Sequence, residues 1–314
     1  MTKTLGGFCR ALLDDSFRPQ ALDPERMAAR FVDHFALSAR PSLEELTALA
    51  HQAGFGAVRE EKMDGLKGAH VGQPGGQYHI YHRDDLWEGA KAQTVLHELY
   101  EIALERLAEM HSPGTFAPTG PNPGICRQAE RFAAAVLMQP DLFVSCARAS
   151  GLDVVALREL FNCSYASVAL RIVEVVRHLP LMVVLYERDE RGDPTRWPSP
   201  TRLRDLKVKV VKRTTGFAPS GSRLLGGLRG GAPYKRRSLS SGSLAEQAAR
   251  SGEMEYAEGD GLAAAARPVL WKGRLGKVAV VAVPWEHRRS LEPQLVRRSQ
   301  PYLRHDYRAA TAAT

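Results

Sequence analysis

The sequence lacks three features that would indicate a membrane or exported protein. No apolar run approaches the roughly 20 residues of a membrane-spanning helix. The short stretch from Leu5 to Leu13 is soon followed by two aspartates, and it lacks a signal-peptide core and cleavage site. The cysteines are few and form no paired framework: Cys9, Cys126, Cys146 and Cys163. We therefore predict a protein of the reducing cytoplasm without a membrane partner.

Composition indicates a globular chain of more than one domain. The 314 residues suit two or three domains, and the contents of 44% hydrophobic and 25% charged residues are ordinary for a folded protein. Residues 1–199 carry 21 Lys and Arg against 26 Asp and Glu, a formal charge of −5, whereas residues 200–314 carry 22 against 9, or +13. This asymmetry indicates an acidic or DNA partner for the C-terminal region, with a solvated basic surface as the alternative.

The most informative stretch is a helix predicted from an N-cap at Thr94 to about Met110. His97 and Glu101 lie four residues apart, one turn along the same face, where both can reach one metal ion. Glu98 follows His97 directly, as the general base does in the His-Glu-x-x-His pattern of zinc peptidases. Here Glu replaces the second His. On these residues alone, a half-exposed helix without a metal is the simpler interpretation.

Two helices and two strands are predicted before this helix. Helices begin near Pro24 and after Ser42, which opens a capping box, and Phe55 to Val58 reads as a strand. Residues 65–76 are predicted as turns, and Gln77 to Tyr81 as a second strand. In zinc peptidases, a strand of this kind borders the cleft, where a substrate peptide can add as an extra strand.

A third metal ligand is expected from the next helix. Residues 112–124 are rich in Pro and Gly and predict a long loop, and Cys126 to Met138 then predicts a helix stopped by Pro140. Both Cys126 and Glu130 lie near its apolar stripe, so either can offer the ligand. The alternative is that Cys126 is only a small buried apolar residue. The predicted stripe consists of Ala129, Phe132, Ala133, Val136 and Leu137.

This order of elements resembles the ImmA/IrrE family of metallo-endopeptidases over about residues 24–190. The strongest match is Ala129-Glu-Arg-Phe132-Ala-Ala-Ala-Val-Leu-Met138-Gln-Pro140, with the His97-Glu98 helix upstream. The resemblance implies zinc-dependent cleavage of a helix-turn-helix repressor in a stress or mobile-element response. It places the first metal ligand at His97, the general base at Glu98, and the other ligands at Glu101 and Cys126.

Both departures from the family pattern replace one ligand type with another, which favours a retuned His/Glu/Cys site over decay. A thiolate and a carboxylate bring two negative charges to the ion, so zinc there should be a weaker Lewis acid. Zinc is the expected ion, with manganese as the alternative.

Beyond this region we predict a helix-turn-helix and then a sensor domain. Two helices flank a turn at Asn162-Cys163, and Ser164 is the N-cap of the second helix. Because the second helix has few basic residues, a structural role is favoured over DNA contact. A strand is predicted over Leu181 to Tyr186, and a helix over Leu244 to Arg250. Further strands over Leu206 to Val211, Ala263 to Trp271 and Val278 to Val283 resemble the GAF-like region of longer IrrE-like proteins.

The predicted fold class is α+β: a mainly helical zinc-peptidase-like domain with a small sheet, a helix-turn-helix segment and a GAF-like regulatory domain. These are expected at residues 1–150, 151–192 and 205–314, with a linker at 193–204. The predicted function is a zinc-dependent endopeptidase that cleaves a helix-turn-helix repressor. The alternative is a catalytically weak or inactive peptidase-like regulator that binds protein or DNA through its basic C-terminal domain.

Overall fold

The computed structural model describes residues 3–13, 23–74, 76–111, 122–188, 203–218, 222–226, 233–271 and 274–298. The chain forms two compact units, residues 1–142 with 161–163, and residues 143–160 with 164–314. The structure has an α+β architecture, as predicted. Among the described residues, no helix is both long and apolar enough to cross a membrane. Most of the predicted linker and most of the Pro/Gly loop lie outside the described residues.

The first unit combines five helices with a three-stranded sheet. In chain order these are α1 (Leu5–Leu13), α2 (Pro24–Phe35), α3 (Leu43–Gln52), β1 (Gly56–Glu61), β2 (Gly68–Gly72), β3 (Tyr78–Arg83), α4 (Glu88–His111) and α5 (Pro123–Leu137). Helix α4 packs against α1, α3, α5 and the sheet, so it is the central element of the unit. Helix α1 buries Phe8 and Cys9 and packs on α4. Residues 5–13 are therefore an ordered part of the core.

Helix α4 begins six residues before the predicted N-cap. Thr94 lies inside the helix, where its hydroxyl donates to the Ala90 carbonyl at 2.8 Å. The N-cap prediction was therefore wrong, because the Thr94 hydroxyl satisfies a carbonyl one turn earlier instead of a free amide. The capping box of α3 is present in part: the Ser42 side chain accepts from the Glu45 amide at 3.1 Å. The Glu45 carboxylate instead accepts hydrogen bonds from the Ser38 amide and hydroxyl.

The small sheet has the order β1-β3-β2, with β3 parallel to β1 and antiparallel to β2. Residues 65–76, predicted as turns, contain the edge strand β2. The predicted strand at Gln77 to Tyr81 overlaps β3, and because β3 is paired on both sides, no substrate peptide can add along it. Two glycines and a histidine in a five-residue segment give β2 little strand propensity of its own, so it forms by pairing with β3.

The second unit is built on a five-stranded antiparallel sheet of order β5-β4-β8-β7-β6. Its elements are α6 (Pro140–Ser150), whose first three residues belong to the first unit, α7 (Val154–Phe161), α8 (Tyr165–Val175), β4 (Met182–Arg188), β5 (Leu206–Arg213), α9 (Leu244–Ser251), β6 (Glu255–Gly259), β7 (Leu262–Trp271), β8 (Arg274–Pro284) and α10 (Glu292–Arg298). Helix α9 covers one face through a core that includes Met182, Val184 and Ala264.

The predicted helix-turn-helix forms, and its second helix is packed against the sheet. Asn162 adopts a positive φ of 49° in the turn, and the Ser164 hydroxyl accepts from the Ser167 amide at 3.0 Å as an N-cap. Helix α8 packs on β4 and β5 and buries Val168 and Ile172. This packing favours the structural role. The predicted division at residues 151, 193 and 205 stays a prediction, although β4 pairs within the same sheet as the strands beyond residue 205.

Candidate metal centre

The predicted pair on α4 is in contact. His97 Nε2 lies 3.2 Å from Glu101 Oε1, and both side chains are about one-fifth exposed, at 22% and 23%. Burial opposes a charge on His97, but the hydrogen bond to Glu101 and the nearby carboxylates raise its pKa. Burial likewise opposes a charge on Glu101, yet the hydrogen bond from His97 lowers the pKa of its carboxyl. In the absence of an ion, the two groups therefore form a charge-assisted pair.

Helix α5 brings Cys126 to the same place. Its Sγ lies 3.9 Å from Glu101 Oε1. The helix is capped by Asn122, whose side chain accepts from the Gly124 amide at 2.8 Å, so Cys126 lies in the first turn. Contact between the Tyr100 and Phe132 rings, 5.1 Å between centroids, joins α5 to α4. Burial and the Glu101 charge raise the pKa of the Cys126 thiol.

The other predicted ligand, Glu130, is exposed, and it belongs to none of the metal-compatible groups found among the described residues. The predicted core stripe of α5 is confirmed, since Phe132 and the other four residues are all buried. Cys126 is therefore the residue of α5 that the fold brings to His97 and Glu101.

The three predicted ligands fit a zinc ion. His97, Glu101 and Cys126 each offer one atom, and these atoms lie within 4.8 Å of one another. In a tetrahedral site with bonds of about 2.1 Å to N and O and about 2.3 Å to S, ligand atoms are separated by about 3.4 Å (N to O) and about 3.6 Å (O to S). The observed 3.2 Å and 3.9 Å differ from these values by a few tenths of an ångström. The donor set, a nitrogen, an oxygen and a sulfur, is one that zinc accepts.

A histidine that the sequence analysis missed completes the cluster. His70 on β2 directs Nδ1 to Glu98 Oε2 at 2.8 Å and Nε2 to Glu105 Oε1 at 3.0 Å. Its Nδ1 also lies 4.0 Å from Glu101 Oε2. Burial opposes a charge on His70, but the hydrogen bonds that its ring nitrogens donate to Glu105 and Glu98 raise its pKa to about 10. The missed strand β2 is the reason that this residue could not be placed from the sequence.

Close approach of β2 to α4 positions His70. A Cβ added at Gly68 would lie 2.2 Å from Thr94 Cγ2 and 3.2 Å from Glu98 Oε1. The strand therefore crosses the helix at a point where only glycine fits. Glu98 beneath it is buried, with 6% of its surface exposed. The predicted general base is thus enclosed between its own helix and β2, with His70 as its hydrogen-bond partner.

An outer layer surrounds the cluster beyond His70. The Arg106 guanidinium lies 5.8 Å from the centre of the Tyr78 ring and donates to the Gly76 carbonyl. Burial and the neighbouring Glu105 raise the pKa of the Tyr78 hydroxyl well above its ordinary value. Tyr78 is therefore a neutral phenol beside the acidic end of the cluster.

Comparisons with known proteins found a family match and a similar fold. Residues 57–173 match the family model Peptidase_M78, the IrrE N-terminal-like domain. No curated protein matches the chain. A solved structure titled "Mycobacterium tuberculosis transcriptional regulator" is similar in fold, with a TM-score of 0.53 and 14% sequence identity. The match covers 93% of this chain and 83% of that chain, and at this identity it shows a shared fold alone.

The matched residues include β2, β3, α4 and α5, which together carry His70, His97, Glu98, Glu101 and Cys126. The resemblance to the ImmA/IrrE family is thereby confirmed for the part of the chain that holds the candidate site. Residues 57–173 are thus similar to the IrrE N-terminal-like domain, and this similarity includes every residue of the candidate site.

Proposed function

We propose that this protein is a zinc-dependent endopeptidase of the ImmA/IrrE type that cleaves a helix-turn-helix transcriptional repressor in a stress or mobile-element response. The observation that carries the proposal is the convergence of one ligand atom each from His97, Glu101 and Cys126 within 4.8 Å, with Glu98 next to His97 on the same helix. Manganese is the alternative ion. The cytoplasmic location stays a prediction from the sequence.

In this proposal the metal supplies Lewis-acid polarisation of the scissile carbonyl and makes nearby water more acidic. His97, Glu101 and Cys126 hold it. Glu98 accepts the proton of the attacking water and passes it to the nitrogen of the leaving amine. Because Glu98 Oε2 accepts a hydrogen bond from His70 at 2.8 Å, this oxygen can act as the base only after it exchanges His70 for water. That exchange, together with the two anionic ligands, makes slow turnover the expectation.

Strand β2 offers the edge at which a peptide can add. It lies at the end of the order β1-β3-β2, and it carries His70 next to the metal cluster. Leu66 and Val71 are 55% and 48% exposed, so apolar substrate side chains have surfaces to contact there. An extended segment of a repressor paired with β2 would gain main-chain hydrogen bonds beside Glu98.

The second candidate function is that of a catalytically weak or inactive regulator, which binds protein or DNA through its basic C-terminal region. Three observations favour it. Glu98 is already engaged by His70. The solved structure of similar fold is titled a transcriptional regulator. In the second unit, the basic segment Tyr234 to Arg237 is held on the edge of β5 by the Arg236 amide donating to the Val208 carbonyl at 2.9 Å.

The two functions differ in their dependence on Glu98. Zinc-loaded wild type, Glu98→Gln and Glu109→Gln proteins would each be incubated with an extract of the source cells, and new peptide termini identified by mass spectrometry. Glu109→Gln is the matched control, because Glu109 is an exposed residue of the same helix. The endopeptidase proposal expects a new terminus within a helix-turn-helix repressor for wild type and Glu109→Gln only. Cleavage that persists in Glu98→Gln contradicts it, and so does a complete lack of cleavage by zinc-loaded wild type.

A further inference from the structure

The two oxygens of the Glu101 carboxylate face different sets of ligand atoms. Oε1 lies 3.2 Å from His97 Nε2 and 3.9 Å from Cys126 Sγ. Oε2 lies 4.0 Å from His70 Nδ1, which in turn lies 2.8 Å from Glu98 Oε2. Each set brings three possible ligand atoms within 4.8 Å of one another, and Glu101 belongs to both. Carboxylates that join two metal ions present their oxygens in this way.

We propose that His70, Glu98 and Glu101 form a second site for a divalent cation, next to the His97/Glu101/Cys126 site and sharing Glu101 as a bridging carboxylate. The inference rests on the proposed function and deepens it, since the second ion would lie beside the one that the proposed reaction requires. Zinc is the expected occupant, because the second set also offers a nitrogen and carboxylate oxygens.

The cluster carries enough negative charge to accept more than one divalent cation. Glu98, Glu101 and Glu105 all reach His70 or its neighbours, and Cys126 would add a thiolate on binding a metal. One zinc ion offsets two of these four negative charges. His70 lies between Glu98 and Glu105 and makes a hydrogen bond with each through a different ring nitrogen. A cation at the second site would replace the proton between His70 Nδ1 and Glu98 and leave the bond from Nε2 to Glu105 in place.

His70 is held as metal-binding histidines usually are. Its second ring nitrogen, Nε2, bonds to a carboxylate oxygen of Glu105 at 3.0 Å, which fixes the orientation of the ring with Nδ1 directed at the proposed site. The side chain is only 12% exposed. Its strand cannot move closer to α4, because Gly68 already lies against Thr94 and Glu98. The site is therefore built into the fold and does not depend on a mobile surface residue.

The distances require only a small adjustment on binding. The separation of 2.8 Å between His70 Nδ1 and Glu98 Oε2 is that of a direct hydrogen bond, and Nδ1 to Glu101 Oε2 is 4.0 Å. A tetrahedral ion separates such atoms by about 3.4 Å. The first distance must lengthen and the second shorten by about the same amount, which a small rotation of the His70 ring provides.

Occupation of this site has a functional consequence. The second ion would bind Glu98 Oε2, the atom that the first site needs as a base, so the form with two ions would be less active than the form with one. Zinc in excess of one ion per chain is therefore expected to inhibit the peptidase, and His70→Gln to weaken that inhibition.

The test is a calorimetric titration of metal-free, full-length protein with zinc chloride. We expect two ions per chain in the wild type, one in His70→Gln, one in His97→Ala and none in the double variant. His51→Gln is the matched control, because His51 is an exposed histidine of α3, and two ions are expected there. Glu98→Gln should weaken the second binding event at least tenfold. Thermal unfolding of each metal-free variant would show that it is folded.

The outcomes separate this inference from the proposed function. One ion per chain in the wild type overturns the second site, and so do two ions in His70→Gln. If His97→Ala keeps two ions while His70→Gln loses one, the site at His97 fails and the bridging role of Glu101 fails with it.

Discussion

Gly68→Ala is expected to destabilise the protein, because the close crossing of β2 over α4 leaves no space for a methyl group. The added Cβ would lie 2.2 Å from Thr94 Cγ2 and 3.0 Å from the Tyr81 carbonyl oxygen. Carbon atoms in contact are normally about 3.5–4.0 Å apart, so the overlap exceeds about 1 Å. Thr94 cannot rotate away freely, because its hydroxyl donates to the Ala90 carbonyl at 2.8 Å.

The expected cost is that of an overpacked site, about 1–3 kcal/mol. With a urea dependence of about 2 kcal/mol per molar, this lowers the unfolding midpoint by about 0.5–1.5 M. The matched control is Gly72→Ala on the same strand, where the new Cβ would meet only Tyr78 Cε1, at an ordinary 3.9 Å. Replacing a glycine without strain is neutral or stabilises by up to about 1 kcal/mol.

The assay is urea unfolding of metal-free protein, followed by circular dichroism, for the wild type and both variants. The expected result is a lower midpoint for Gly68→Ala and an unchanged or higher midpoint for Gly72→Ala. Equal midpoints for the two variants would refute the close crossing of β2 and α4. They would also remove the reason for placing His70 at the cluster.

Three other outcomes follow from individual contacts. In metal-free protein at pH 8, iodoacetamide should modify the half-buried Cys126, and zinc should protect this residue. Cys9 should stay unmodified, because burial raises its pKa to about 12. Faster modification of Cys9 than of Cys126, measured by peptide mass spectrometry, would contradict this. Asp153→Ala should lower the free energy of unfolding by about 3–5 kcal/mol, because Asp153 Oδ2 pairs with Arg267 Nε at 3.0 Å in a buried position. A loss below about 1 kcal/mol in urea unfolding would show that the pair is not buried. Ser42→Ala should cost about 1 kcal/mol in the same assay, because the Glu45 amide loses its partner, and no change would argue against the cap.

Local signals in the sequence predicted much of the fold. The apolar spacing of Ala129, Phe132 and Val136 placed α5 with the correct buried face. The Ala263 to Trp271 segment was predicted as a strand despite its four alanines, and it forms β7 between β6 and β8. The spacing of His97 and Glu101 placed two ligands on one face of a helix, because that geometry depends only on the helical repeat.

Features that depend on distant parts of the chain were missed. The sequence around His70 has weak strand propensity, and only pairing with β3 and contact with α4 make it a strand. Strand β4 was predicted, but its place between β5 and β8 depends on pairing with residues up to about 100 positions away. Thr94 was assigned as a cap because its residue type suits that role, while its hydroxyl instead bonds within the helix.

The most direct test of the central claim is the absorption spectrum of the cobalt-substituted protein. A cobalt(II) ion bound by a cysteine thiolate gives an intense near-ultraviolet charge-transfer band. We expect this band in the wild type and in Cys146→Ala, a control for a second half-buried cysteine, and its loss in Cys126→Ala. His97→Ala should weaken cobalt binding. A band that persists unchanged in Cys126→Ala would contradict the assignment of His97, Glu101 and Cys126 to one metal ion.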